Sequence, residues 1–354
     1  MSVVVRITVE ASSNYDVLIA EGLLGETGSL AAEVVPPCKV LVASDDIVTA
    51  LYSDTVVHSL QDAGFEVEQF TFPHGEKSKN LQTLNSLLEY AAKKQLTRQS
   101  LFVALGGGIT GDLTGFAAAV YQRGAGYIQI PTTFLAAIDS SVGGKTAVNL
   151  DAGKNLAGAF FQPRLVICDL ATFETLPSEV FSDGAAEAVK YGMISDYELF
   201  LKLEAGITIS NLQDIVARCV DIKRQIVARD EYDRGERQLL NYGHTFGHGI
   251  EKCSGYTISH GHAVAIGMVM AARAAERLGI AEEECSDRLA AALHKYGLPV
   301  YSPFETNELT SAILTDKKRA GDTLTVVLPE RPGRCILHKL PVDDIERLVS
   351  LSLE

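Results

Sequence analysis

The sequence predicts a doubly wound α/β domain in its N-terminal half and a mainly α-helical domain in its C-terminal half. In the first half, short runs of β-branched residues alternate with segments of helical periodicity, the pattern of parallel strands joined by right-handed crossovers. From about Thr172 onward, helical segments follow one another with Gly and Pro between them. A chain of 354 residues also exceeds what one hydrophobic core usually serves, so two domains are expected.

The individual elements follow from the same periodicities. Residues 2–9 form a predicted first strand, and further strands are predicted at 39–43, 66–72, 101–105, 127–130 and 165–168. Helices are predicted at 80–94, 184–194, 212–228, 238–253 and 261–278. A β-like pair at 323–328 and 334–338 and an amphipathic segment at 343–351 complete the pattern. Because ligands bind at the carboxyl ends of parallel strands, we expect a site in the loops there.

Charge and cysteine content exclude several classes of function. The formal net charge is −14, so the protein repels nucleic-acid phosphates and anionic membrane surfaces, whereas a small anion needs only a local basic pocket. The six cysteines show no paired spacing, which suits a reducing compartment. No stretch approaches about 18 charge-free apolar residues, and no basic and apolar leader opens the chain. We therefore expect a cytoplasmic protein that binds neither nucleic acid nor membranes.

A glycine turn follows the predicted strand at 101–105. Gly106, Gly108 and Gly111 match the spacing GxGxxG, in which glycines let a backbone approach a pyrophosphate at the start of a helix. The match lies on a later βα unit, and the next strand ends without the acidic residue that binds a ribose. Dinucleotide binding and plain tight packing both remain open on this motif alone.

The segment 134–146 combines an acid, two hydroxyls, two glycines and a lysine. We predict a loop here, neither helix nor strand, that holds a polar ligand. It differs from a phosphate-binding P-loop because Asp139 stands where that motif requires glycine. An ATPase is therefore not indicated.

Four of the eight histidines lie between residues 244 and 262. His244 and His248 are four residues apart, so they share one face of a predicted helix. A catalytic metal needs about three protein ligands, commonly His with a carboxylate, and the alternative is a set of satisfied core histidines. The candidate carboxylate is Glu187, which shares a helix face with Lys190; an ordinary surface ion pair is the alternative.

Three basic residues precede the histidines in a stretch of mixed charge: Lys223, Arg234 and Arg237. Charge pattern alone favours a solvated helix face. Their closeness in sequence to the histidines gives modest support to a role in the same site.

Together these motifs make the chain similar to the 3-dehydroquinate synthase family over essentially its whole length. The motifs are PHGEKSK at 73–79, LGGGITGDLTGF at 105–116, PTT at 131–133, DSSVGGKT at 139–146, GKN at 153–155, AEAVKYG at 186–192, LNYGHTFGH at 240–248 and DKK at 316–318. The resemblance implies a Rossmann-like NAD-binding domain at 1–171 and a mainly helical metal- and substrate-binding domain at 172–354. It also implies a site in the cleft between them and a homodimer.

The resemblance further implies which residues form the site. The implied metal ligands, for zinc or cobalt, are Glu187, His244 and His260, so His248 becomes a substrate or proton-transfer contact. The implied NAD contacts are Asp45, Glu76, Lys79, Gly108, Asp112, Thr132, Thr133, Lys145, Lys154, Thr172 and Thr175. The implied catalytic and substrate contacts are Lys145, Lys190, Lys223, Arg237, Asn241, His248, Asp139, Asn155 and Arg123, the last from the partner subunit, with Lys317 nearby.

The implied reaction converts a phosphorylated sugar acid, 3-deoxy-D-arabino-heptulosonate 7-phosphate, to 3-dehydroquinate and phosphate. A transient oxidation by NAD, assisted by the metal, acidifies a neighbouring C–H bond so that phosphate is eliminated. The hydride then returns, the ring opens, and an intramolecular aldol step closes the product. The alternatives are another sugar phosphate cyclase, a metal-dependent polyol dehydrogenase, and a catalytically silent scaffold protein.

The sequence departs from the family pattern at a few positions. His262 stands where Glu is usual, Ala188 and Val189 replace Val and Ile, and Ile47 stands where a polar residue is common. Because His262 lies two residues from an implied metal ligand, we expect it to tune the surroundings of His260 without abolishing activity.

Overall fold

The computed structural model describes residues 3–317 and 322–353, and at 315–317 it describes the backbone alone. The chain forms two compact units. The first comprises Met1–Leu176 and Lys223–Tyr232, and the second comprises Pro177–Ile222 and Asp233–Glu354. The division at residue 171 expected from sequence therefore lies inside the first unit, and a later segment also joins that unit. That segment is held there because Glu231 accepts hydrogen bonds from Ser12 and Gln162.

The first unit is built on an α/β sheet. Its strands are β1 (Val5–Val9), β2 (Tyr15–Ala20), β3 (Lys39–Asp45), β4 (Glu66–Phe72), β5 (Leu101–Gly106), β6 (Gly126–Pro131), β7 (Lys145–Leu150), β8 (Gly153–Phe160) and β9 (Leu165–Asp169). Among the described residues, seven strands form one sheet in the order β1-β2-β9-β6-β5-β3-β4, and β7 and β8 form a separate antiparallel hairpin. Of the strands described in the large sheet, β1 alone pairs antiparallel. The five predicted parallel strands are confirmed, whereas β2 and the hairpin were not predicted.

Helices cover both faces of this sheet. They are α1 (Thr27–Val34), α2 (Asp46–Asp62), α3 (Leu81–Lys93) and α4 (Gly108–Val120). Successive strand residues alternate between two cores, as a period of two requires: Val40 packs with residues of α1 and α2, and Leu41 packs with residues of α3 and α4. The predicted doubly wound arrangement is therefore confirmed.

The strand order locates the edge at which a ligand is expected. The five neighbouring parallel strands β4-β3-β5-β6-β9 have the order 2-1-3-4-5 in chain sequence, which is the flavodoxin-like order and differs from the six-stranded dinucleotide fold. The order reverses between β3 and β5. These strands end at Asp45 and Gly106, so two of the sequence-predicted positions lie at the switch point.

The second unit is mainly helical, as predicted. Its helices are α5 (Ser178–Ser195), α6 (Tyr197–Ala205), the first part of α7 (Ile209–Arg229), α8 (His244–Cys253), α9 (His260–Arg277), α10 (Ser286–His294), α11 (Thr306–Lys317) and α12 (Ile345–Leu353). The strands β10 (Thr323–Arg331) and β11 (Arg334–Pro341) pair antiparallel, which confirms the predicted β pair. No described helix is long and apolar enough to cross a membrane.

One helix prediction in this unit is wrong. The segment 238–253 is not continuous, because a 3-10 turn at Glu236–Asn241 precedes a break, and α8 starts at His244. Gly243 at the break has φ of 79°, a left-handed conformation that glycine adopts without steric cost. The break redirects the chain so that His244 opens a new helix.

Helices α5, α8 and α9 approach one another at glycines. A Cβ atom at Gly261 would lie 2.3 Å from Cα of Asp183 on α5, and a Cβ atom at Gly267 would lie 2.1 Å from the carbonyl oxygen of Gly243. Any side chain at these positions would collide with the facing backbone. Because glycine has no side chain, the backbones of α5 and α9 can come into contact.

Substitution of Gly261 tests this packing. We expect Gly261→Ala to destabilise the protein by at least about 2 kcal/mol, because the added methyl collides with backbone that cannot move independently. Urea unfolding followed by circular dichroism measures the shift. Gly25→Ala is the control, since no atom lies within 4 Å of its added Cβ. Equal midpoints for the two variants would show that the helices have room to separate.

Candidate metal centre and cofactor-binding residues

Three side chains from three helices converge on one point in the second unit. Glu187 of α5 is 1% exposed, and its Oε1 lies 3.6 Å from Nε2 of His244 on α8 and 3.4 Å from Nε2 of His260 on α9. The ligand atoms of all three residues lie within 4.8 Å of one another. One carboxylate and two imidazoles are a donor set that suits zinc or cobalt, so these residues fit a divalent cation.

The remaining histidine of the pair predicted from spacing, His248, takes a different place. It lies one turn after His244, with ring centroids 5.6 Å apart, and its side chain is exposed. The crossing of α8 and α9 brings the ring of His260 closer, to 5.1 Å from that of His244. The structure therefore groups His244 with His260 and Glu187, while His248 lies beside the group and also comes within 4.8 Å of Glu251 and His260.

Glu187 is paired with Lys190, one helical turn away, and both side chains are 1% exposed. The surface-pair alternative is therefore wrong. Burying two charges costs several kcal/mol, even when they are paired. Small neighbours on α5, including Gly184 and Ala188, let the pair lie inside the unit.

The surroundings of His244 and His260 shift the pKa values of their imidazoles in opposite directions. Burial lowers the pKa of His244 to about 3, so this ring is neutral, the state a metal ligand requires. Burial also acts to lower the pKa of His260, but hydrogen bonds to Glu187 and Glu251 raise it to about 10. The cluster thus holds a positive charge between two buried carboxylates, a setting that favours a divalent cation.

The start of α9 is tied to α5 by a residue that sequence reasoning missed. Asp183 Oδ1 accepts hydrogen bonds from the His262 backbone N–H (3.1 Å) and the Ser259 hydroxyl (2.6 Å), and lies 2.8 Å from His262 Nδ1. The hydrogen bond to Asp183 raises the pKa of His262. Thus His262 joins the helices that carry Glu187 and His260, through a contact visible only once both helices are in place.

In the first unit, a second polar cluster connects four of the predicted residues. Lys79 is buried, and its ammonium lies 2.6 Å from Asp112 and donates to Asn155. Asn149 donates to Glu76 at 2.7 Å and accepts from the Asn155 backbone at 2.9 Å. Burial raises the pKa of Asp112, and the charge of Lys79 opposes that shift. Asn149 was not predicted, because its position depends on the β7 register.

The switch point offers groups that fit a phosphorylated dinucleotide. Helix α4 begins at Gly108, where a Cβ would lie 3.0 Å from the Ser140 hydroxyl. The Thr132 and Ser140 hydroxyls are buried and have no hydrogen-bond partner within the described part of the chain. A helix N-terminus beside glycines and unsatisfied hydroxyls suits an anionic ligand with hydrogen-bonding groups. At the same edge, Asp45 caps α2 by accepting from the Val48 N–H at 2.9 Å.

The segment 134–146 differs from the predicted loop. Residues Ala136–Ser140 form a π-helical turn, and β7 starts at Lys145, so the prediction of neither helix nor strand is wrong here. Asp139 lies in the turn and contacts Lys223, whose ammonium also donates to the Asp139 carbonyl at 2.6 Å. Single π turns interrupt regular geometry and occur often at functional sites.

The other predicted residues differ in accessibility. Arg237 is 2% exposed, which contradicts a solvated face at that position, whereas Arg234 is exposed. Thr172 is buried and donates to the Asp169 carbonyl at 2.7 Å, and Thr175 donates to the Thr172 carbonyl. Exposed or half-buried positions are taken by Glu76, Arg123, Thr133, Lys145, Lys154, Asn155 and Asn241. The side chain of Lys317 lies outside the described residues.

Fold and site together define a class of two-unit proteins that join a doubly wound sheet to a helical unit with a candidate metal centre. The 3-dehydroquinate synthase N-terminal family model matches residues 69–183, and the 3-dehydroquinate synthase C-terminal model matches residues 184–319. The chain is 42% identical over 338 residues to the 3-dehydroquinate synthase of Streptococcus suis (strain 05ZYH33), covering 94% of this chain and 95% of that protein. The chain belongs to the 3-dehydroquinate synthase family.

Two solved structures share the fold. The 2-deoxy-scyllo-inosose synthase complexed with carbaglucose-6-phosphate, NAD+ and Co2+ has a TM-score of 0.87 and 27% identity, covering 98% of this chain and 99% of that chain. ValA, the 2-epi-5-epi-valiolone synthase from Streptomyces hygroscopicus subsp. jinggangensis 5008 with NAD+ and Zn2+ bound, has a TM-score of 0.87 and 24% identity, with the same coverage.

Glu187→Gln tests the candidate metal centre. We expect the affinity for Co2+ to fall more than about tenfold, because a neutral amide is a weaker ligand than a carboxylate. Equilibrium dialysis of chelator-stripped protein, with metal analysis, measures it. Glu179→Gln is the matched control, since Glu179 is exposed on the same helix. Unchanged binding in the Glu187 variant would place the metal elsewhere.

Proposed function

We propose that the protein is a 3-dehydroquinate synthase, a carbon–oxygen lyase that converts 3-deoxy-D-arabino-heptulosonate 7-phosphate to 3-dehydroquinate and inorganic phosphate. The observation that carries this proposal is family membership along nearly the whole chain, together with the convergence of Glu187, His244 and His260. The reaction sequence is transient oxidation, phosphate elimination, re-reduction, ring opening and intramolecular aldol closure.

NAD and one divalent ion, Zn2+ or Co2+, are the proposed cofactors. When bound, NAD takes up and returns a hydride, and the cation polarises the oxygen of the carbinol being oxidised. Glu187, His244 and His260 would hold the cation. The residues at the carboxyl ends of β3, β5 and β6, with the Glu76, Lys79 and Asp112 cluster, would hold NAD.

Buried cations explain how an acidic chain binds a substrate with a phosphate and a carboxylate. Lys190, Lys223 and Arg237 are buried residues, with 1%, 4% and 2% of their surface exposed, so their charges are poorly screened by water. Lys145 is exposed at the start of β7 and completes the proposed set. We assign these four residues to neutralising the two anionic groups of the substrate, which also stabilises phosphate as a leaving group.

Proton transfer and orientation need polar groups that reach the substrate. His248 is exposed and lies one turn beyond His244, which places an ionisable ring beside the metal candidate. Asn241 is exposed immediately before the break that starts α8. In the first unit, Lys223 donates a hydrogen bond to the Asp139 carbonyl oxygen and pairs with its carboxylate. We assign His248 to proton transfer, and Asn241, Asp139 and Asn155 to positioning substrate hydroxyls.

The direct test is an assay of phosphate release from 3-deoxy-D-arabino-heptulosonate 7-phosphate by chelator-stripped protein. We expect release to require both NAD and added Zn2+ or Co2+, with no accumulation of NADH, because the hydride is returned in every turnover. Absence of phosphate release under all metals would refute the proposed substrate. Steady NADH production from a polyol would instead support a dehydrogenase, and release from other sugar phosphates alone would support another cyclase.

We further propose a homodimer in which Arg123 acts on the partner's substrate. Arg123 is exposed on a turn after α4, where Gln122 and Arg123 both have positive φ, at 47° and 65°. Such backbone strain in non-glycine residues is often retained at functional positions. All six cysteines lie in the described residues without a disulfide, which supports the proposed cytoplasmic location.

Mixing two inactive variants tests the role of Arg123. Arg123→Ala and Lys190→Ala homodimers should each be nearly inactive, but dissociation and reassociation should restore about one quarter of wild-type activity, because one site in each mixed dimer is intact. Sedimentation velocity establishes the dimer independently. If the mixture stays inactive while mixed dimers are shown to form, Arg123 does not act across subunits.

A further inference from the structure

The His260 ring lies between two carboxylates in the second unit. Its Nε2 is 3.4 Å from Glu187 Oε1, and its Nδ1 is 3.4 Å from Glu251 Oε2. Glu251 is on α8, two turns after His244 and on the same helix face, and is 4% exposed. Burying a carboxylate costs free energy unless the group is paired or hydrogen-bonded, and the imidazole of His260 is such a partner for Glu251.

His244 shows the same arrangement with a different partner. Its Nε2 faces Glu187, while its Nδ1 lies 3.0 Å from the backbone carbonyl oxygen of Tyr242. An acceptor at Nδ1 places the ring proton there and leaves the Nε2 lone pair directed at the cluster. Tyr242 is itself fixed, because its hydroxyl donates to the Met268 carbonyl at 2.9 Å. Each imidazole therefore has one nitrogen toward Glu187 and the other beside an acceptor.

We propose that Glu251 is the positioning residue of the candidate metal centre. It accepts the Nδ1 proton of His260, fixes the tautomer in which Nε2 is a ligand, and sets the orientation of the ring. His260 needs a side-chain acceptor because it is the first residue of α9, whereas His244 finds a backbone carbonyl at the break before α8. A carboxylate in this position also makes the imidazole more electron-rich and so a stronger ligand.

The alternative role for Glu251 and His260 is to bind a second cation. His248, Glu251 and His260 also lie within 4.8 Å of one another. That arrangement would use His260 through Nδ1, on the side away from Glu187, and would include His248, whose side chain is exposed. The near-complete burial of Glu251 and the matching contact at His244 favour positioning over a second metal.

The test measures Co2+ binding to the full-length, chelator-stripped protein by competition with a chelating indicator, together with the visible Co2+ absorption spectrum. We expect Glu251→Leu to weaken Co2+ binding about 10- to 100-fold and to change the absorption bands, because His260 loses its fixed orientation. Glu251→Gln keeps a hydrogen-bond acceptor of the same shape, so we expect a smaller loss. Lys252→Gln, an exposed neighbour on α8, is the matched control and should bind as wild type.

This inference rests on the metal requirement of the proposed function, but metal binding is measured without turnover. His248→Ala should leave Co2+ affinity unchanged and the stoichiometry at one ion per chain. Wild-type affinity and spectrum in both Glu251 variants would overturn the positioning role. A wild-type stoichiometry of two, reduced to one by both His248→Ala and Glu251→Leu, would also overturn it and show the second site. Should Glu251→Leu fail to fold, Glu251→Gln decides the same question.

Discussion

The candidate metal centre depends on the close crossing of three helices at positions without side chains. Glu187, His244 and His260 are far apart in sequence and meet only because α9 approaches α5 at Gly261 and α8 at Gly267. A methyl group at either glycine would collide with backbone of the facing helix. Asp183 then fixes the approach by binding the start of α9. Packing of small residues thus sets donor distances that no local propensity specifies.

The same crossing buries charge, and this links stability to chemistry. Glu187, Lys190 and Glu251 lie in the interior, where unpaired charge is strongly unfavourable. His260 lies between the carboxylates of Glu187 and Glu251, and their hydrogen bonds and charges raise its pKa. A divalent cation would neutralise the carboxylates in place of the ring proton. Burying these charges only to stabilise the fold would cost free energy, whereas a metal-binding site requires them. The net charge of −14 opposes binding of extended anionic partners, and the buried cations Lys190, Lys223 and Arg237 are of the kind that binds a small anion.

Much of the fold was predictable because its signals are local. The parallel strands are β-branched runs whose alternate residues fill two cores, and the helical half shows its own periodicity. The break at Gly243 was missed because the apolar pattern continues across it. The π-helical turn at Ala136–Ser140 was missed because a turn of this kind leaves no distinct residue pattern in the sequence. The spacing of four residues in the sequence suggested that His244 pairs with His248. In the structure the ring of His260 is closer to that of His244, because the crossing of α8 and α9 sets the distance between the rings. Asn149, Asp183 and Glu251 were invisible in sequence because each acts through a partner from another segment.

We propose that one divalent cation is held by Glu187, His244 and His260. Anomalous diffraction from crystals grown with one equivalent of Co2+ or Zn2+, recorded on both sides of the metal absorption edge, tests it without reference to activity. We predict one anomalous peak per chain, bonded to one Glu187 oxygen and to Nε2 of both histidines. A peak beside His248 and Glu251 in place of this position, or an ordered protein with no peak at these three residues, would contradict this assignment of the metal ligands.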